Sequence, residues 1–197
     1  VASQSLRQQL EACDLQLTQV LHQLCAEYQS EAARLPSDTD TVGSAGITDA
    51  LKAKMIKLQA TGGDIGLCLR TRIAAWHVLA LYPGEQQLKL ARRDAIQRSV
   101  EEVRALPGYL DQVLDRDLGT IKAFWNSTET LQKRKDEVRA SAGLAIQGVR
   151  SSAEEGYAMA DKTDQLLIEH AQPTRYFFEI DGFGLIGVRR EAHPISA

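Results

Sequence analysis

Leu6, Leu10, Cys13, Leu17, Val20, Leu24 and Tyr28 follow one another at steps of three and four residues. That spacing places them on one stripe of a single helix, with Gln, Glu, Asp and Arg on the opposite face. The same period returns along most of the chain, and a helix with one apolar stripe has to bury it against other helices. Aromatic residues make up only 6% of the sequence, so the shared interior is built mainly of Leu, Ile, Val and Ala. The expected fold class is all-α: an antiparallel four-helix-type bundle of long helices over residues 1–172, followed by a small β-hairpin and tail over 173–197.

Turn residues divide this pattern. The first helix, over 3–35, should stop before Pro36, because a residue preceding proline is steered away from helical geometry. Residues 36–47 (PSDTDTVGSAGI) read as a loop. Thr48 is the expected N-cap of a second helix that turns Leu51, Met55 and Leu58 inward. Gly62-Gly63 predicts a kink or short break unless close packing compensates, since each glycine costs about 1 kcal/mol relative to alanine inside a helix. The helix resumes through Ile65, Leu69, Ile73, Trp76, Leu79 and Ala80, and Tyr82-Pro83-Gly84 is its stop. A third helix over 85–106 turns Leu88, Ile96, Val100 and Val103 inward and leaves Arg92, Arg93, Arg98, Glu101 and Glu102 solvated.

Pro107-Gly108 marks another turn or a kink. The pattern then returns through Val113, Leu114, Leu118, Ile121 and Phe124, and Asn126 with Glu129 resembles a capping pair, which allows a brief interruption at Trp125-Asn126-Ser127. Beyond it Leu131, Val138, Ala142, Ala145, Val149, Tyr157 and Leu166 carry an inward stripe to Ala171, and the small residues over 140–156 favour close helix approach. After Pro173, RYFFEI (175–180) and FGLIGV (183–188) are strand-prone runs around Asp181-Gly182, a dipeptide favoured in two-residue hairpin turns. A two-stranded hairpin is marginal alone, so Tyr176, Phe177 and Phe178 are expected to pack on the bundle or to bind a partner.

Charge and motif content exclude several function classes. The 23 basic and 26 acidic residues leave a net charge of −3 with no basic block to follow a phosphate backbone, so nucleic acid is not an expected partner. No run approaches the ~18 apolar residues of a membrane span, and Val1 to Gln9 lack the apolar core of a signal peptide. A first residue of Val fits an excised or processed fragment, whose membrane anchors, if it has them, lie outside this sequence. Cys13 and Cys25 share a helix and stand roughly 18 Å apart, too far to bridge, so an internal disulfide has to involve Cys68.

Neither a Cys-x-x-Cys pair nor a Cys/His cluster with zinc spacing is present, and His22, His77, His170 and His193 form no metal-binding motif. No metal and no cofactor is therefore expected. A nucleophile elbow, a phosphate-cradling loop, a dinucleotide fingerprint and a singled-out carboxylate pair are all missing, so the chain is not expected to be an enzyme. Its most polar-aromatic helical cluster is Arg70, Arg72, Trp76 and His77. Arg72 and Trp76 lie four apart on one face, where a guanidinium and an indole can bind a small anionic or planar ligand. In the competing structural reading Trp76 fills the core and the arginines pair with acidic neighbours. Lys122, Phe124 and Trp125 form a similar cluster later in the chain.

Residues 67–106 (LCLRTRIAAWHVLALYPGEQQLKLARRDAIQRSVEEVRAL) resemble the helical sensory domains of bacterial chemoreceptors and sensor kinases: a Leu-Arg-x-x-Arg-like helix, a short Gly-containing turn and a returning amphipathic helix. Residues 121–149 look like the family's following helix. The resemblance implies a four-helix sensor, dimeric as a rule, that binds a small molecule between helices and passes a helix displacement to a signalling module. Arg70, Arg72 and Trp76 have the suitable places for the ligand, and Lys122 and Trp125 are the second candidate cluster. The hairpin is a departure, since such domains begin and end in helices running into the membrane. Tyr157-Ala-Met-Ala-Asp161 is also similar to the Tyr-x-x-x-Asp pattern of helical-hairpin substrates of type VII secretion, with Trp125-Asn-Ser127 standing where those carry Trp-x-Gly.

The expected function is thus a non-catalytic sensory or interaction module that takes a small molecule or partner protein. A structural or assembly protein that self-associates through its helical seam and hairpin is the alternative. A homo-oligomer or helical partner fits both, and the compartment is periplasmic for a receptor sensor domain and cytoplasmic otherwise.

Overall fold

A reciprocal cap starts the first helix, α1 (Leu6–Ala33). Gln8 N–H donates to Ser5 Oγ at 3.3 Å while Ser5 N–H donates to Gln8 Oε1 at 3.0 Å, so two orphan donors are satisfied by the Ser-x-x-Gln spacing. The remaining helices are α2 (Gly43–Leu79), α3 (Gln86–Gly119) and α4 (Thr128–Glu169). The computed structural model describes residues 5–36, 43–81, 86–122, 128–169, 175–180 and 186–191, the side chains of 43–45, 86, 164–169 and the two strands excepted. Trp125 and Phe124 lie outside the described residues.

The helices are longer than their punctuation implies. α2 begins upstream of Thr48, which is buried inside the helix instead of capping it, and runs unbroken through Gly62-Gly63. α3 runs through Pro107, so of the turn or kink expected at Pro107-Gly108 the turn is absent and the helix does not end at Leu106. Pro107 removes the bond its N–H would make to the Val103 carbonyl, a cost of about 3 kcal/mol. Val103, Leu106 and Leu110, all fully buried on either side of it, offset that loss at roughly 1.5–3 kcal/mol for each side chain. In α1 the buried positions are Leu10, Leu21, Cys25, Tyr28 and Ala32, while Leu6 and Val20 are exposed. A strict 3.5-residue repeat drifts by about 20° per heptad on a straight helix, which carries the core seam from Val20 to Leu21. Leu88 and Tyr157, both expected inward, are exposed.

Two compact units share these helices: Val1–His22, Leu67–Glu101 and Glu154–Ala197 form the first, and Gln23–Gly66 and Glu102–Ala153 the second. Within each unit segments of all four helices pack as a helical bundle, and α2, the most apolar of them, is the hub. In the first unit α2 meets α1 through Arg72–Asp14 and Cys68–Leu17, an antiparallel register, and meets α4 through Arg70–Glu155 and His77–Thr163, a parallel one. In the second unit α2 meets α1 through Lys57–Glu31, α3 through Lys54–Asp117 and α4 through Lys52–Glu137. Each unit also has a glycine where α4 comes against α2: Gly62 faces Val149 in the second and Gly156 faces Leu69 and Ile73 in the first.

After α4, strands β1 (Arg175–Ile180) and β2 (Ile186–Glu191) pair antiparallel with Arg175 opposite Glu191 and Ile180 opposite Ile186. That register sets Ile180 against Ile186, whereas a two-residue turn at Asp181-Gly182 would set it against Phe183, and the second strand is described from Ile186. The connection itself and the side chains of Tyr176, Phe177 and Phe178 lie outside the described residues.

Tyr28 shows how the core treats a stray polar atom. Its ring is fully buried and, among the described residues, its hydroxyl has no hydrogen-bond partner. Burial, with a smaller contribution from the Asp111 charge, pushes its pKa up to about 12. Tyr28→Phe should therefore raise stability at neutral pH by up to about 1 kcal/mol, because an unsatisfied buried group is removed. The neutral phenol's contribution is complete below pH 10 and is lost as pH rises toward 12, since the unfolded chain releases that proton first. Urea midpoints from pH 7 to 11.5 test this: the variant should lose less stability above pH 10 than the parent, and a lower midpoint at pH 7 would refute the account.

Candidate functional site

Among the described residues no group of His, Cys, Asp and Glu is gathered to hold a metal ion. Likewise no described helix is long and apolar enough to cross a membrane. All three cysteines are free thiols, and burial raises the pKa of both Cys13 and Cys68, which disfavours the nucleophilic thiolate. Among the described residues two polar places, one in each unit, carry buried charged side chains or a cleft.

The first is built around the Arg72 and Trp76 face of α2. Arg72 is 1% exposed, and its Nε donates to Asp14 Oδ1 of α1 at 3.3 Å while Nη1 donates to Ser99 Oγ of α3. Its fork is thus occupied by two neighbouring helices, which satisfies a guanidinium that burial would otherwise make costly. Arg70, two positions earlier, turns to the surface and pairs with Glu155 of α4 at 2.8 Å, an exposed bridge of little energetic weight. His77 Nδ1 lies 3.1 Å from Thr163 Oγ1, and that hydroxyl donates its single proton to the Met159 carbonyl. Thr163 therefore accepts from His77, which puts the ring proton on Nδ1.

Trp76 is 1% exposed and forms one wall of a cleft of about 60 Å³. α3 contributes Arg93, Ile96, Gln97 and Val100, and α4 contributes Tyr157, Ala160 and Asp161. Arg93 and Gln97 stand four apart, as do Tyr157 and Asp161, so each helix presents its pair on one face. The indole N–H of Trp76 is shut off from solvent and, among the described residues, has no acceptor. The walls thus combine two aromatic rings, a carboxylate, an amide and a guanidinium that also donates to Asp94 Oδ1 at 3.2 Å, around an aliphatic floor. Nothing in it is arranged as nucleophile and base.

In the second unit Lys54 Nζ donates to Asp117 Oδ2 at 2.6 Å and to the Arg34 carbonyl at 2.8 Å. Both charged side chains are closed to solvent, with exposures of 2% and 0%. Burial lowers the Lys54 pKa, and the Asp117 carboxylate works against that shift. Arg116 closes the group by donating to Asp117 Oδ1 at 2.8 Å. The buried ammonium and carboxylate neutralise each other, and Arg116, 42% exposed, keeps its charge at the surface, so the cluster is a structural lock.

The structure therefore brings Trp76 to the cleft, commits Arg72 to holding helices together and leaves Arg70 at the surface. Lys122 is exposed in the second unit, apart from the residues of the first. Sequence reasoning missed Arg93, Gln97, Tyr157 and Asp161 as a group. Their four-residue spacings are visible, and Tyr157 and Asp161 were already paired by pattern, but only the fold turns the two pairs toward one opening. Comparison of the chain with protein-family models, with curated proteins and with solved structures gives no match.

Proposed function

We propose that this chain is a non-catalytic, ligand-responsive helical module in which a small molecule enters the cleft beside Trp76 and displaces α3 and α4 against α2. The observation that carries this reading is the position of Arg72. It lies one turn from Trp76 on α2, and its partner Ser99 stands on α3 between the cleft residues Ile96 and Val100. An occupant that moves α3 loads the Arg72–Ser99 bond, and the same guanidinium holds Asp14 on α1. Packed helices have discrete arrangements, so a small local push is passed on as a displacement.

A built-in plug tests this without any ligand. Ala160→Phe fills the cleft from α4, and the expected result is a change in backbone amide NMR signals around Asp14 on α1, which does not line the cleft and is tied to it through Arg72. Ala158→Phe, on an exposed position of the same helix, should leave those signals in place. Shifts confined to the neighbours of residue 160 would sink the proposal.

One observation favours assembly as a second reading. Ile56 and Leu144 are 64% and 59% exposed in the second unit, on α2 and α4 between the Lys52–Glu137 and Gly62–Val149 contacts. Exposed apolar side chains of this size mark association surfaces when they cluster. Concentration-dependent sedimentation of the whole chain, together with a silent Ala160→Phe, would support that reading instead.

A further inference from the structure

We infer that a second copy of this chain covers the exposed Ile56 and Leu144, laid parallel across a two-fold axis so that α2 of each copy runs along α4 of the other. The inference names the partner in the assembly reading above and makes no use of the cleft beside Trp76. Every residue it invokes lies in the second unit. There α2 and α4 run parallel and in step, Lys52 beside Glu137 and Gly62 beside Val149. Asp49, Lys52, Ile56, Ala60 and Gly63 follow at steps of three and four along one face of α2. Lys133, Glu137, Ala140, Leu144 and Gly148 do the same along one face of α4. Ile56 and Leu144 are 64% and 59% exposed, and a Cβ added at Gly63 or Gly148 would meet nothing within 4 Å. The described residues of the chain therefore leave both stripes bare.

Charge decides which occupant fits. At one end of this face α2 carries Asp49 and then Lys52, while α4 carries Lys133 and then Glu137, so the signs are opposite at each level. Beyond that end both stripes turn apolar. A parallel two-fold keeps the levels and exchanges the helices, which brings Asp49 against Lys133 of the second copy, and Lys133 against its Asp49. Among the described residues Asp49 and Lys133 have no ion pair or hydrogen bond, so both are available. Lys52 and Glu137, paired at 3.3 Å but 37% and 42% exposed, also meet Glu137 and Lys52 of the second copy and close a ring of alternating sign. An antiparallel two-fold would lay each charged end over the other copy's apolar end, stranding Asp49 and Lys52 against Ala60 and Gly63. An apolar helix of another protein would leave Asp49 and Lys133 unanswered. Ile56 and Leu144 from each copy supply the buried area, the charges fix the register, and an interface of this kind closes at two chains.

Sedimentation of the whole chain should show one chain passing to two between about 1 and 100 µM. Ile56→Asp and Leu144→Asp, at positions exposed in the single chain, should each weaken the dimer at least about tenfold and leave the helical circular dichroism signal as in the parent. A mixture of charge variants gives the sharper readout. Asp49→Lys sets like charges together twice across the two-fold, and so does Lys133→Asp, so each alone should dimerise at least about tenfold more weakly than the parent. Mixed, the two variants match both pairs again and should dimerise as the parent does. A chain that stays monomeric overturns the proposal, and so does a dimer indifferent to Ile56→Asp. A mixture no tighter than its components overturns it too, because the exchange of α2 and α4 across the two-fold is what the mixture reads. None of these outcomes bears on the ligand-responsive reading, which Ala160→Phe decides separately.

Discussion

Replacing Asp117 with alanine is expected to lower the unfolding free energy by about 3–5 kcal/mol, the effect of leaving one member of a buried ion pair alone. Lys54 is 2% exposed and would keep only the Arg34 carbonyl, an acceptor without the counter-charge. Lys54→Met should be milder, because Asp117 retains the Arg116 guanidinium at 2.8 Å and that residue reaches solvent. The double variant Lys54→Met/Asp117→Leu removes both charges and should recover most of the loss, since apolar replacements of a buried pair are often neutral or better. Urea denaturation of the parent, Lys54→Met, Asp117→Leu and the double variant closes the cycle, and additive single effects would show that the pair is not coupled.

The sign of the pH dependence follows from the same burial. Lys54 already sits below its ordinary value of 10.5, and losing Asp117 removes the charge that opposes the shift. Between its folded pKa and 10.5 the unfolded chain binds more protons than the folded one, so the contribution of this group to stability grows as pH rises. The deficit of Asp117→Ala against the parent should therefore narrow from pH 7 to 10. A deficit that is flat or widening over that window would mean that the ammonium has found another partner.

How much of this was readable in the sequence depends on the range over which each cause acts. The apolar stripe of α2 predicted Leu51, Met55, Leu58, Ile65, Leu69, Ile73, Trp76 and Leu79 as buried, because helical period and burial are local to one element. The Ser5/Gln8 cap is equally local, a Ser-x-x-Gln spacing, but the sequence reading did not single it out. Gly62-Gly63 and Pro107 were read as interruptions, and locally that is what those residues favour. Burial on α4 and of Val103, Leu106 and Leu110 overrides them, and tertiary packing leaves no mark at the position it rescues. Lys54 and Asp117 are residue types found mostly at surfaces, and nothing in the chain announces that they meet across 63 positions. Of the candidate site, the shared face of Arg72 and Trp76 followed from spacing, and the partners Asp14 and Ser99 did not. The pairs Arg93/Gln97 and Tyr157/Asp161 become one opening only when α3 and α4 stand beside each other.

The adjacent glycines of α2 give the sharpest contrast between local and tertiary demands, and substituting each with alanine should move stability in opposite directions. A Cβ on Gly62 would sit 2.7 Å from Val149 Cγ2, whereas a Cβ on Gly63 meets nothing within 4 Å. Val149 is fully buried and, being β-branched on a helix, has essentially one side-chain rotamer, so it cannot swing aside. Gly63→Ala should gain about 0.5–1 kcal/mol through reduced backbone entropy of the unfolded chain and better helix propensity. Gly62→Ala has the same local gain available but should lose about 1–2 kcal/mol net, because overpacking a tight contact costs about 1–3 kcal/mol. Trimming the opposing side chain separates the two causes. In a Val149→Ala background the clash is gone, so Gly62→Ala should turn from destabilising to neutral or stabilising, while the effect of Gly63→Ala should stay as it was. Thermal and urea melts of the six proteins measure this directly. If Gly62→Ala is as favourable as Gly63→Ala with Val149 intact, the close approach of α4 to α2 at that turn is not what keeps glycine there.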